Sequence, residues 1–152
     1  MTKNSIKNDL YSQCQAFVDC RLKAIQKTID EIQESLTSET KSSAGDKHET
    51  GRAMLQLERE KAGQQLAEIQ KLNQLLPKID VSNNSEIIGL GSLVYTSQAN
   101  YFIAISAGEL KVNNQSFYAI SANTPIAKLL LGKLKNDEII FRDQEFKIIK
   151  IL

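Results

Sequence analysis

The sequence predicts an α+β protein, a coiled-coil hairpin of two antiparallel helices followed by a small, mostly antiparallel sheet with one short helix. Three observations carry that expectation. Apolar residues recur by threes and fours from Tyr11 to Leu36, and again from Leu55 to Leu76. A polar stretch with no apolar period separates the two patterns. After Pro77 the rhythm changes to short β-branched and aromatic runs set between Gly, Asn, Asp and Ser.

The first helical pattern runs through Tyr11, Cys14, Val18, Leu22, Ile25, Ile29, Ile32 and Leu36. Only one narrow seam is apolar, and neither Gly nor Pro interrupts it, which is the spacing of a coiled coil. At about 1.5 Å per residue such a helix is roughly 40 Å long. The second pattern has Leu55, Ala62, Leu66, Ile69, Leu72 and Leu76 as seam candidates, and Pro77 ends it because proline cannot donate the next helical hydrogen bond. Two seams of similar length joined by a short polar segment bury each other only by folding back, with the polar segment at the far end. Gly51, Gln56 and Gly63 thin the second seam toward that end.

The second half offers strands at Ser92–Ser97, Tyr101–Ser106, Ser116–Ile120, Glu138–Phe141 and Glu145–Ile151. Thr124 suits a helix N-cap, Pro125 the first helical position and Gly132 a left-handed stop. Asp80 to Ser85 reads as a linker, which places the hairpin at residues 1–79 and the sheet at 80–152. The aromatic side chains Tyr95, Tyr101, Phe102, Phe117, Tyr118, Phe141 and Phe146 are expected mostly in the core of the sheet.

The charges balance, 19 basic against 18 acidic, so bulk electrostatics draw the chain to neither nucleic acid nor membrane. No apolar run approaches the roughly 20 residues that span a bilayer, and the polar start Met1-Thr2-Lys3-Asn4 does not resemble a secretory signal. A cytoplasmic monomer is expected. Cys14 and Cys20 fall about 9 Å apart along one helix, too far for a disulfide, and are expected to be buried or half-buried.

Between the two helical patterns stands Gly45-Asp46-Lys47-His48-Glu49. Two readings of its acids remain open. Asp with Glu three residues on is the spacing of a capping box, which satisfies the free amides of a starting helix. Carboxylates at the tip of a slender hairpin also suit delivery of oxygen ligands to a hard divalent cation in another protein's active site. The two roles are compatible. His48 is expected in solvent, and Arg52, Arg59 and Lys61 on a charged outer face or against RNA phosphates.

Asn123-Thr124-Pro125-Ile126-Ala127-Lys128-Leu129-Leu130-Leu131-Gly132-Lys133, with Asp137-Glu138 and the closing Phe146-Lys147-Ile148-Ile149, resembles the C-terminal segment of the Gre transcript-cleavage factors of bacterial RNA polymerase. Gly89-Leu90-Gly91-Ser92 resembles the approach to that family's first strand, and Gly45-Asp46-Lys47-His48-Glu49 its Gly-Asp-x-x-Glu tip. The likeness covers nearly the whole chain. It differs just after the tip, where the family's Asn-Ala-Glu-Tyr-His-Ala is replaced by Thr50-Gly51-Arg52-Ala53-Met54-Leu55.

The resemblance implies a coiled-coil hairpin joined to an FKBP-like domain. It further implies a transcription elongation factor, not itself an enzyme, that enters the secondary channel of RNA polymerase and stimulates cleavage of backtracked nascent RNA. Asp46 and Glu49 would hold a second Mg²⁺ in the polymerase active site, an ion this chain does not bind stably alone. The helix from Thr124 and Pro125 would be a docking surface; Arg52 is a further candidate contact, on its charge and not on the resemblance. The alternative is a channel-binding regulator that does not cleave. Two other classes are a prolyl isomerase, for which no Trp is present to floor a pocket, and a plain coiled-coil adaptor.

Overall fold

The computed structural model describes residues 3–41 and 46–152, with side chains described at 5–38 and 50–152. The elements are α+β in the expected order. Helix α1 is Lys3–Lys41, α2 is Asp46–Leu75, and a 3-10 turn at Leu76–Lys78 follows. The strands are β1 (Leu93–Thr96), β2 (Asn100–Ala104), β3 (Gly108–Val112), β4 (Gln115–Ser121), β5 (Glu138–Phe141) and β6 (Gln144–Ile151), with α3 (Pro125–Leu130) between β4 and β5.

Contacts group these elements into two units. One combines the chain up to Phe17 with Leu75–Leu152, and the other is Val18–Gln74. That grouping follows contacts, whereas a boundary at 79/80 follows the change from helix to strand.

In the Val18–Gln74 unit, α1 presents Ile25, Ile29, Ile32 and Leu36, all buried. They pack with buried Ala62 and the half-buried Leu55, Leu66 and Ile69 of α2. Burying one such aliphatic side chain contributes about 1.5–3 kcal/mol, so this seam holds the helix pair together. The other faces are exposed and mostly polar, although Met54 and Leu57 of α2 also stand in solvent.

The other unit is built on a six-stranded sheet in the order β3-β4-β2-β1-β6-β5. Every neighbouring pair is antiparallel except β2 and β4, which are parallel. Asn113-Asn114 joins β3 to β4 and Arg142-Asp143 joins β5 to β6, all four residues having positive φ. Two-residue turns of that kind match the right-handed twist of paired strands. Strand β3 was not expected from the sequence. Only Val112 of its five residues is buried, so its apolar alternation is faint, as befits an edge strand.

On one face, Val94, Ile103, Ile139, Phe146 and Ile148 pack with Ile126 and Leu130 of α3. Thr124 caps α3, its Oγ1 accepting from the Ala127 N–H at 3.3 Å, and Pro125 takes the first turn. Gly132 follows at φ +81, the left-handed stop expected there. Leu93, Phe102 and Phe117 are fully buried. Tyr118 departs from the expected aromatic core, being 40% exposed beside Tyr101.

The first turns of α1 belong to this unit and carry a wider buried face than the seam beyond them. Lys7, Leu10 and Cys14 are all fully buried. Gln13 Nε2 donates to the Lys111 carbonyl on β3 at 3.0 Å, and the Tyr11 hydroxyl donates to the Leu76 carbonyl at 2.8 Å. Cys20 corrects the expectation of burial. It is exposed, because position 20 lies off the line of Cys14 and Val18 on the helix.

Residues 80–85 lack helix or strand. They are nonetheless fastened within the sheet unit: Lys7 Nζ donates to the Asn83 carbonyl at 3.2 Å, and the Ser82 amide to Asp80 Oδ1 at 3.0 Å. The Ser82 hydroxyl bond, then its amide, holds the Asp80 carboxyl below its usual range.

Candidate functional site

The acids singled out by sequence stand at the start of α2, which opens at Asp46. Positions 46 and 49 are three apart in the first turn, which puts them on one side of the helix, about 4.5 Å apart along its axis. The side chains of Asp46, His48 and Glu49 lie outside the described residues. Two carboxylates are oxygen donors of the kind Mg²⁺ prefers, but too few to enclose it. Among the described residues no group of three or more His, Cys, Asp or Glu could hold a metal ion.

One turn further on, Arg52 corrects the expectation of an outer-face charge. It is half-buried, as is Arg59, whereas Lys61 is exposed. Positions 52, 55, 59, 62, 66 and 69 step by threes and fours, and all six are buried or half-buried. Both arginines thus continue the seam in phase with Leu55 and Ala62. That phase was legible in the sequence. Charge masked it, because an arginine is ordinarily assigned to solvent, although its methylene stem packs on apolar surface while the guanidinium reaches out.

Arg52 Nη1 lies 3.5 Å from the Leu36 carbonyl oxygen, a long contact across the helix pair. Both residues line a cleft of about 540 Å³, together with Gln33, Thr37, Gln56 and Arg59. Gly63 makes room for Arg59, since a Cβ there would come 3.1 Å from its Nη1.

Thr124 and Pro125, the docking candidates, have defined local roles. Thr124 Oγ1 also donates to the Ser121 carbonyl at 2.8 Å, which ties the end of β4 to the start of α3. A cleft of about 740 Å³ in the sheet unit is lined by Leu134, Ile149, Ile151, Leu152 and charged neighbours, without an aromatic side chain. An aromatic-lined pocket for a prolyl substrate is not what this cleft offers.

Among the described residues, no helix is long and apolar enough to cross a membrane. No family model, curated protein or solved structure matches this chain.

Proposed function

We propose that this chain is a Gre-type transcription elongation factor that binds RNA polymerase through its secondary channel and stimulates endonucleolytic cleavage of backtracked RNA. In this reading Val18–Gln74 is an antiparallel coiled-coil hairpin and the sheet unit is FKBP-like. The observation that carries it is the placement of Asp46 and Glu49. They open α2 beyond the last described seam layer, Leu36 and Arg52, in a stretch with almost no apolar side chain. Such a stretch is unfit for a core and suited to a hydrated, anionic active site.

Asp46 and Glu49 would supply oxygen ligands to a site that the polymerase leaves short of them, and orient the attacking water in line with the leaving oxygen. A second Mg²⁺, when bound, stabilises charge on both the attacking and leaving oxygens of such a displacement. The polymerase is the enzyme, and the factor a removable part of its active site. Thr124 and Pro125 at the start of α3 are the proposed docking contacts. The protein acts in the cytoplasm as a monomer, meets the RNA 3′ end only indirectly and needs no membrane.

The replacement of the family's polar and aromatic shell by Thr50-Gly51-Arg52-Ala53-Met54-Leu55 favours a second reading, a channel-binding regulator that does not cleave. Stalled complexes separate the two. The first reading expects co-purification with polymerase and release of 3′ RNA fragments, lost in Asp46→Ala and Glu49→Ala while binding persists. Binding without any fragment release overturns it in favour of the second.

A further inference from the structure

Residues 37–51 hold a single apolar side chain, Ala44, so hydrophobic packing cannot position the turn that carries Asp46 and Glu49. Leu36, 8% exposed, is the last buried residue of α1 among those described, and Leu55 is the first half-buried leucine of α2. What stands between them on the seam face is Arg52. We infer that Arg52 is a positioning residue: it fastens the first two turns of α2 across the helix pair to α1 and thereby sets where the two acids stand. The functional half of this inference rests on the reading above.

Three features of the site support it. Arg52 is half-buried although charged, which requires its stem to lie on the seam and its head to find acceptors. Its Nη1 is 3.5 Å from the Leu36 carbonyl oxygen, 16 positions earlier in the chain. At that length one bond is weak, but a guanidinium has five donors in a fixed plane, and Gln33, Thr37, Gln56 and the carboxylate of Glu60 line the same cleft with oxygen acceptors. Finally, α2 is continuous from Asp46, so Glu49 sits one turn from Arg52 and Asp46 two. A rigid helical backbone carries the placement of Arg52 to both.

Arg52→Met keeps the length of the stem and removes the guanidinium, and Arg52→Lys keeps the charge without the planar fork. Amide exchange on the free protein tests the fastening without recourse to function. Exchange over residues 46–55 is expected to quicken about tenfold in Arg52→Met and less in Arg52→Lys. On stalled polymerase, the saturating cleavage rate is expected to fall about tenfold in Arg52→Met, with the half-saturating factor concentration changed less than about twofold and partial recovery in Arg52→Lys. Exchange unchanged within about twofold overturns the fastening. A raised half-saturating concentration at an unchanged rate overturns positioning and makes Arg52 a partner contact. Wild-type protein that binds but never cleaves defeats the functional reading, and the exchange result then decides the fastening alone.

Discussion

Lys7, with none of its surface exposed, donates from Nζ to the carbonyl of Asn83, 76 positions away. A buried ammonium is costly unless it is met by acceptors, and here it holds an otherwise irregular segment in place. Burial pushes the Lys7 pKa below its ordinary value of 10.5, with the Asp80 charge opposing the shift. Between the folded and unfolded pKa values, the unfolded chain keeps a proton that the folded chain has released. Stability therefore rises with pH through that window, and the burial penalty is fully present below it. Urea unfolding of wild type and Lys7→Met from pH 7 to 10.5 reads this directly. The wild type should gain on the variant as pH climbs. Tyr95 and Tyr101, both raised by burial, act oppositely above pH 10 but cancel in the comparison. A pH-independent difference contradicts this account of Lys7.

The two thiols should separate cleanly. Burial pushes Cys14 up to about 11, while Cys20 is exposed. At pH 8 iodoacetamide should label Cys20 in the folded protein and reach Cys14 only on unfolding, since the thiolate is the nucleophile. Cys14→Ser should cost about 1–3 kcal/mol by burying a hydroxyl, and Cys20→Ser less than about 0.5. Rapid labelling of both cysteines in native protein would place Cys14 outside the core.

Two glycines should respond with opposite sign to alanine. At Gly91, φ is +88 and a Cβ would stand 2.9 Å from the Asp80 carbonyl oxygen, so Gly91→Ala must displace backbone. A loss of about 2 kcal/mol or more is expected in thermal unfolding. Gly63 lies inside α2, where alanine gains about 1 kcal/mol of helix propensity. Its obstacle, Arg59 Nη1 at 3.1 Å, is the end of a flexible side chain. Gly63→Ala should stabilise by about 0.5–1 kcal/mol. A loss instead would mean that Arg59 is held too firmly to yield.

Much of this architecture was legible because it rests on periodicity and local caps. The line from Cys14 to Leu36 announces α1, and Thr124, Pro125 and Gly132 bracket α3, from one residue before its start to two beyond its end. Strand β3 is faint in the sequence because Gly-Glu-Leu-Lys-Val is short and half polar. The Asn113-Asn114 turn was the available signal, as asparagine tolerates left-handed backbone. Lys7 could not be placed by any local rule, since its burial depends on Asn83 far along the chain. The half-buried positions of Arg52 and Arg59 are hidden in the sequence because their charge runs against the phase they share with Leu55 and Ala62. Asp46 and Glu49 were legible as a spacing and as the start of a helix.

The central claim is that Asp46 and Glu49 complete a metal site in another protein, and Mg²⁺ dependence tests it most directly. The rate of 3′ fragment release from stalled complexes should be titrated with Mg²⁺, with and without the factor. The account predicts that wild-type protein lowers the half-saturating Mg²⁺ concentration by about tenfold or more, and that Asp46→Ala and Glu49→Ala each abolish the shift while still binding polymerase. An Mg²⁺ profile that is the same with wild type and with both variants bound would contradict it.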